Sequence, residues 1–397
     1  MLIKRRKFLQ VGSLASTSLF MPKFLKAFES RALVPSGNKV LVVIQFSGGN
    51  DGLNTVIPIT NDIYYRGRPV LGIDGSKAEK LETDFALHPE LTHLKSLYGE
   101  GYLGILNGVG YPNPNRSHFR SMDIWQSGSH SQQYLSTGWL GRYLDAQCSG
   151  CDKPTQALEI DDILSLALKG EDEKGIAFKN PKRLFSGSNE NYFKAISKSH
   201  EPTEETIDYL YKVMGNTLSS AEYIYNESMI HPTGAVYPNS NTGKALKTIS
   251  SLILSDINTS VYYLSLGSFD THINQAAQQT RLFKELNAAI ASFTDDLKKN
   301  GRFNDVLIMT FSEFGRRVNQ NASNGTDHGT ANSMFFISGA LKQKGLLNPL
   351  PDLENLDSGD LRYTIDFKSV YATVLRNWLG ADDRKVLGEQ FPLLSFI

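Results

Sequence analysis

The feature that most constrains this chain is a set of short apolar runs, each followed at once by glycine-rich or polar residues. Lys39-Val-Leu-Val-Val-Ile-Gln-Phe46 is the clearest, and Gly48-Gly-Asn-Asp-Gly52 follows it. A strand with one wet face alternates apolar and polar residues. A run that does not alternate is covered on both faces, the signature of a parallel sheet. Tyr102–Asn107, Ser260–Leu266, Asp305–Phe311 and Ser333–Ser338 have the same character. Between the third and fourth runs, Gln275–Asn300 sets Leu282, Phe283, Leu286, Ile290, Phe293 and Leu297 on one face of a long helix. Strand, helix and strand make a βαβ unit, expected to be parallel and right-handed. Tyr363–Leu379 reads as a further helix ended by Gly380. The fold class is therefore α/β with a mostly parallel central sheet.

Other stretches are less regular. Residues 128–155 read as loop with a short helix over Trp139–Leu144. Within 156–240, Lys169–Asn191 is polar and Thr203–Asn226 looks helical, so this region is expected as an insertion or cap beside the sheet. The two cysteines, Cys148 and Cys151, fit a short-loop disulfide in an exported protein, or less readily a redox dithiol. Two cysteines alone do not make a closed zinc site.

Ligands of open parallel sheets bind just beyond the carboxyl ends of the strands. Asp51 follows the first run here. Arg116, Ser117 and His118 follow the second, with Ser117 placed to cap a helix through Trp125. Asp270 and His272 follow the third and Glu313 the fourth. Asp327 and His328 lie in Gly325-Thr-Asp-His-Gly-Thr330, the loop leading away from that edge. Aspartate and histidine are ligands for zinc or manganese, and a carboxylate-rich site also suits magnesium or calcium. Two metals about 4 Å apart would clamp the attacking and leaving oxygens of an ester displacement. The Ser117 hydroxyl would be activated by such a metal, and Arg116 would fork onto sulfate or phosphate oxygens. Each residue also has a plainer reading. Asp51 fits a Gly-Asn-Asp-Gly turn, Asp270 a turn cap and Ser117 a simple helix cap. His118 would orient the turn, Glu313 would pair with Arg316 or Arg317, and Asp327 and His328 would be solvated loop. His88 and His93 read as structural.

The N-terminus, Lys4-Arg-Arg-Lys-Phe-Leu-Gln10, sets paired arginines before a mild apolar stretch, Val11–Met21. At about 11 residues that stretch is too short to span a bilayer as a helix. Residues 1–33 are therefore expected as a twin-arginine export signal, and 34–397 as a single domain. Export by that route would leave the mature chain in the periplasm or outside the cell, with the export machinery as a partner and no stable membrane span. Acidic and basic residues balance at 41 each. That balance gives no electrostatic footprint for nucleic acid.

The ordered set Gly48-Gly-Asn-Asp-Gly-Leu-Asn54, Asn115-Arg-Ser-His-Phe119, Phe269-Asp-Thr-His272, Ser312-Glu-Phe-Gly-Arg316 and Gly325-Thr-Asp-His-Gly329 resembles the DUF1501 family over essentially the whole chain. This family of unknown function is placed in the alkaline phosphatase and sulfatase superfamily. The resemblance implies a three-layer α/β/α sandwich of alkaline phosphatase type. It implies Asp51 as the first metal carboxylate, Asp327 and His328 as the late pair on the same metal, Asp270 and His272 on a second metal, and Ser117 in the nucleophile's place. The chain departs from the superfamily pattern in having no histidine after His328 and in the close spacing of Asp270 and His272. Glu313 or His118 would fill the gap, or the site would hold one metal. The sulfatase Cys-or-Ser, x, Pro, x, Arg signature is absent, which argues against a formylglycine nucleophile.

The leading expectation is an exported metal-dependent hydrolase of phosphate or sulfate esters, with one or two divalent metals per chain. Its substrate would be a small anionic ester or a surface polymer. The alternative is a non-catalytic exported binding or assembly protein with a degenerate metal site, since fold does not fix function.

Overall fold

The computed structural model describes residues 39–147, 155–188 and 219–397. The basic N-terminal segment, both cysteines and most of the Thr203–Asn226 stretch lie outside them. β1 (Val40–Phe46) is buried along its whole length. Val40, Val42, Ile44 and Phe46 face one apolar core, and Leu41 and Val43 face a second on the other side. That two-sided burial is why the run does not alternate.

Three two-residue strands, β2 (Val56–Ile57), β3 (Glu79–Lys80) and β4 (Ala86–Leu87), form a small separate sheet. The main sheet adds β5 (Leu103–Gly110), β6 (Ala157–Glu159), β7 (Ile176–Ala177), β8 (Val261–Leu266), β9 (Val306–Ser312), β10 (Asn332–Ile337), β11 (Gly345–Leu346) and β12 (Ile365–Asp366). Its order is β11-β5-β10-β9-β1-β8-β6-β7, with β12 also on β5. Every pairing in it is parallel except those of β10, which runs antiparallel to both β5 and β9. The reversal of β10 matters for the site: the loop that enters it starts at the edge where β1, β5, β8 and β9 end.

Helices cover both faces. One core packs α1 (Thr92–Glu100), α4 (Asn241–Leu254) and α5 (Gln275–Lys299) on the sheet through Leu94, Leu246, Ile249, Phe283 and Phe293. The opposite core packs α2 (His118–Ser127), α3 (Trp139–Gln147) and α6 (Phe367–Thr373) through Trp125, Trp139 and Tyr371. The result is the expected three-layer α/β/α sandwich. α5 carries the chain from β8 to β9, which flank β1 on either side and lie parallel to it. Burial along α5 at Leu282, Phe283, Leu286, Ile290, Phe293 and Leu297 follows the helical period.

Two expectations change. The 156–240 region is not only a cap, because β6 and β7 join the main sheet at its edge. The last long helix does not begin at Tyr363. Ile365 and Asp366 first pair with β5. The Asp366 carboxylate then accepts from Lys368 N and starts α6, which passes into a π-helical turn over Val374–Trp378. β-branched Ile365 suits the strand, and aspartate suits the cap. Among the described residues no helix is long and apolar enough to cross a membrane.

Candidate metal centre

The strand exits are drawn together by close backbone contact. A Cβ on Gly48 would lie 2.3 Å from the Asp270 nitrogen, and the residue has φ of +120°. A Cβ on Gly325 would lie 2.2 Å from the His272 carbonyl carbon. Only glycine lets the β1 exit lie on the β8 exit, and the loop entering β10 lie on His272.

Three imidazoles meet at Asp270. His272 Nε2 lies 3.2 Å and His328 Nε2 3.4 Å from Asp270 Oδ1, and His118 Nε2 lies 3.4 Å from Oδ2. His272 Nε2 and His328 Nε2 are 2.8 Å apart. The far nitrogen of each ring is already engaged. His118 Nδ1 donates to Glu313 Oε1 at 2.9 Å, His328 Nδ1 to the Arg116 carbonyl at 2.8 Å, and His272 Nδ1 to Asp327 Oδ1 at 3.2 Å. Carbonyls and carboxylates only accept, so each Nδ1 is held as a donor, and each Nε2, turned toward Asp270, is the atom that would be left to bind a metal. Three tautomers fixed this way are the arrangement that metal-binding histidines adopt.

The donor set fits one divalent ion. Among the described residues the buried His118 Nε2 has no hydrogen-bond partner, and His272 Nε2 and His328 Nε2 approach each other at 2.8 Å. Tetrahedral bonds of about 2.1 Å put neighbouring ligand atoms roughly 3.4 Å apart, and the three imidazole contacts to Asp270 are 3.2 to 3.4 Å. His118, Asp270 and His328 can each offer an atom within 4.8 Å of the others, and His272 Nε2 lies against Asp270 and His328. Nitrogen-rich ligation suits zinc ahead of magnesium or calcium. The ring of Phe314 packs on His118 and His328, with centroids 4.9 and 4.6 Å away, and walls the centre on one side.

The electrostatics of the centre differ from group to group. Partial burial works against the Asp270 carboxylate, but the hydrogen bond and charge of Arg316, with His118 and His272, outweigh it and hold its pKa below the usual range. The hydrogen bond to Glu313 raises His118. Burial lowers His328.

Several expected ligands do not reach the centre. Asp51 is buried and bound bidentately by Arg68, whose Nη1 lies 2.5 Å from Oδ2 and Nη2 3.0 Å from Oδ1. Gln275 and the Leu53 amide also donate to its carboxylate. Asp51 is therefore the anion of a buried ion pair and has no oxygen free for a metal. Asp327 stands behind His272, because successive residues of an extended segment point to opposite sides. For the same reason Asp270 and His272, two apart, point together. Glu313 does not pair with Arg316 or Arg317. Its Oε1 accepts from Gly48 N and His118 Nδ1, which places it behind His118. Ser117 is the N-cap residue of α2, yet its side chain makes no capping bond. Its exposed hydroxyl has no hydrogen bond among the described residues. Arg116 is held by the buried carboxylate of Asp360, which also takes Arg317 Nε at 3.2 Å. His88 is buried against Phe283, and His93 Nε2 lies 2.8 Å from Thr294 Oγ1, as structural residues.

Two arginines go beyond the sequence reading. Arg316 is fully buried and joins three loops, donating to the carbonyls of Gly48, Gly49, Phe269 and Thr326 and to Asp270. Its place in Ser312-Glu-Phe-Gly-Arg316 was a usable signal. Nothing in the residues around Arg68 marks it as a partner for Asp51.

Fold and site define an α/β/α protein with a histidine-rich polar centre at the carboxyl edge of its sheet. A family model described as "Protein of unknown function (DUF1501)" matches residues 102–387, well over half the chain, and the chain belongs to that family. No curated protein matches the sequence. Among solved structures, the chain is similar to the PsFucS1 sulfatase from Pseudoalteromonas sp., at 12% identity over 94% of this chain and 73% of that one, with a TM-score of 0.42. It is also similar to the phosphonate monoester hydrolase SpPMH from Silicibacter pomeroyi, at 8% identity over 89% and 77%, with a TM-score of 0.38. The lipoteichoic acid synthase LtaP from Listeria monocytogenes matches at 12% identity over 84% and 76%, with a TM-score of 0.30.

Proposed function

We propose that this chain is an exported hydrolase of sulfate or phosphate esters that uses one divalent metal held by His118, Asp270, His272 and His328. The observation that carries the reading is the convergence of three imidazole Nε2 atoms on Asp270, each ring fixed from behind. A metal there would supply Lewis-acid stabilisation of ester oxygens and lower the pKa of a bound hydroxyl. The chain's own groups do the rest. Arg116 and Arg317, drawn together by Asp360, offer a fork to the remaining oxygens of the anion. Ser117, one residue before His118 and unbonded, is the side chain available as nucleophile. Glu313 holds the His118 ring in one orientation and one tautomer. Export rests on the paired arginines at Arg5 and Arg6, and a fusion of residues 1–33 to a reporter would test whether they direct transport.

One observation favours the alternative, a binding protein on the same fold. Asp51, a metal carboxylate by family resemblance, is neutralised by Arg68 instead. The same experiment separates the two readings. Elemental mass spectrometry on protein purified without chelator is expected to find one metal per chain in wild type and none in Asp270→Asn. Turnover of 4-nitrophenyl sulfate or phosphate should fall by about 10³-fold or more in that variant, as when a group stabilising transition-state charge is lost. Metal without turnover would leave a binding protein, and absence of metal after supplementation would overturn both the centre and the hydrolase.

A further inference from the structure

The edge that carries the histidine centre also opens into a cleft of about 790 Å3. It is lined by the end of β8, by Gly267 and Ser268 after it, and by residues of α4 and α5. Ser268 precedes Asp270 by two residues, so the cleft begins within about 7 Å of the centre along the backbone. Its charged lining is Lys179, Lys244, Lys247 and Arg281 against Asp161 and Glu285. Arg281 is paired with Glu285 at 3.3 Å, and Lys179 with Asp162. Lys244 and Lys247 are exposed on α4 and have no ion-pair partner among the described residues. The chain as a whole is neutral, so this excess of cations is local to the cleft. The first turn of α4, at Asn241 and Thr242, adds the positive end of a 14-residue helix to it.

We infer that the cleft is a second anion subsite, taking a sulfate or phosphate group borne elsewhere on the molecule whose ester occupies the histidine centre. The inference rests on the proposed hydrolase reading and narrows its substrate to a polyol carrying more than one anionic group, of which an anionic glycan is the common form. The neutral part of the lining supports a polyol. Ser265, Ser268, Thr248 and Asn180 supply hydroxyl and amide partners, and among the described residues no aromatic ring lines the cleft to stack a nucleobase.

Calorimetric titration of the full chain with maltohexaose sulfate, maltohexaose phosphate and unmodified maltohexaose tests this. The charged sugars are expected to bind and the unmodified one not to, and the stronger of the two charged arms identifies the anion. Lys244→Glu with Lys247→Glu should weaken binding on the order of tenfold or more through loss of charge-assisted contacts. Lys244→Gln with Lys247→Gln should weaken it less, which guards against a general effect of added negative charge. Asp270→Asn removes the centre's share of the contact, and the binding that remains should still fall when Lys244 and Lys247 are changed. Failure of the hydrolase reading would then appear as missing metal or turnover while cleft binding persisted. Equal binding in wild type and the Lys244/Lys247 variants, no binding to wild type, or loss only in Asp270→Asn would overturn the subsite.

Discussion

At the scale of single residues, buried charge governs behaviour. Arg68 and Asp51 are both nearly inaccessible, so removing one leaves the other unpaired in a poor solvent for ions. Arg68→Met is expected to cost about 3–5 kcal/mol in urea unfolding. Asp51→Asn should leave metal content unchanged, whereas Asp270→Asn removes it. Loss of the metal in Asp51→Asn would contradict a centre built from His118, Asp270, His272 and His328 alone. Glu159, buried at the end of β6, is the opposite case: it makes no ion pair among the described residues, and desolvation raises its pKa to about 7. A carboxyl whose folded pKa is raised contributes stability that is fully present below about pH 4.5 and lost as pH rises through about 7. Glu159→Gln is therefore expected to stabilise the fold by up to about 3 kcal/mol at pH 8 and by little at pH 4, read from unfolding midpoints at both values. Equal effects at the two pH values would mean that the carboxyl is not neutral in the fold.

At the scale of elements, the helix α5 tests the sandwich. Phe293 is fully buried against the sheet and Lys284 lies on the wet face. Phe293→Ala should cost about 3–5 kcal/mol, and Lys284→Ala should stay within about 0.5 kcal/mol. A comparable loss from both would contradict the packing. This helix, with the strands that flank it, was legible in the sequence, because period 3.6 and unbroken apolar runs each report directly on burial. The start of α6 was not, because apolar residues from Tyr363 onward continue a helical pattern through Ile365, which pairs as a strand. The histidines and Asp270 were legible as members of the site through their position after strands. The direction of each side chain was not, since Asp327 and His328 are neighbours in sequence and diverge in space. Pairings such as Arg68 with Asp51, made between an exit loop and a segment beyond the next helix, leave no periodic trace.

At the scale of the whole molecule, the centre is a product of long-range closure. His118, Asp270, His272 and His328 come from the start of α2 and two loops spread over more than half the chain, and Arg316 fastens both loops to the β1 exit. β1 shows the consequence. It is the first strand of the described chain, and its two partners, β8 and β9, begin at Val261 and Val306. A fragment covering 39–240 lacks both and is expected to remain unfolded or to aggregate, as judged by circular dichroism and sedimentation. A cooperative unfolding transition in that fragment would refute the dependence of β1 on its two neighbours. During synthesis β1 leaves the ribosome more than 200 residues ahead of its two partner strands. A nascent chain of this design carries an unpaired apolar strand, the kind of surface that aggregates, through much of its translation, and any transport route that accepts only finished, folded cargo has to wait for its final third.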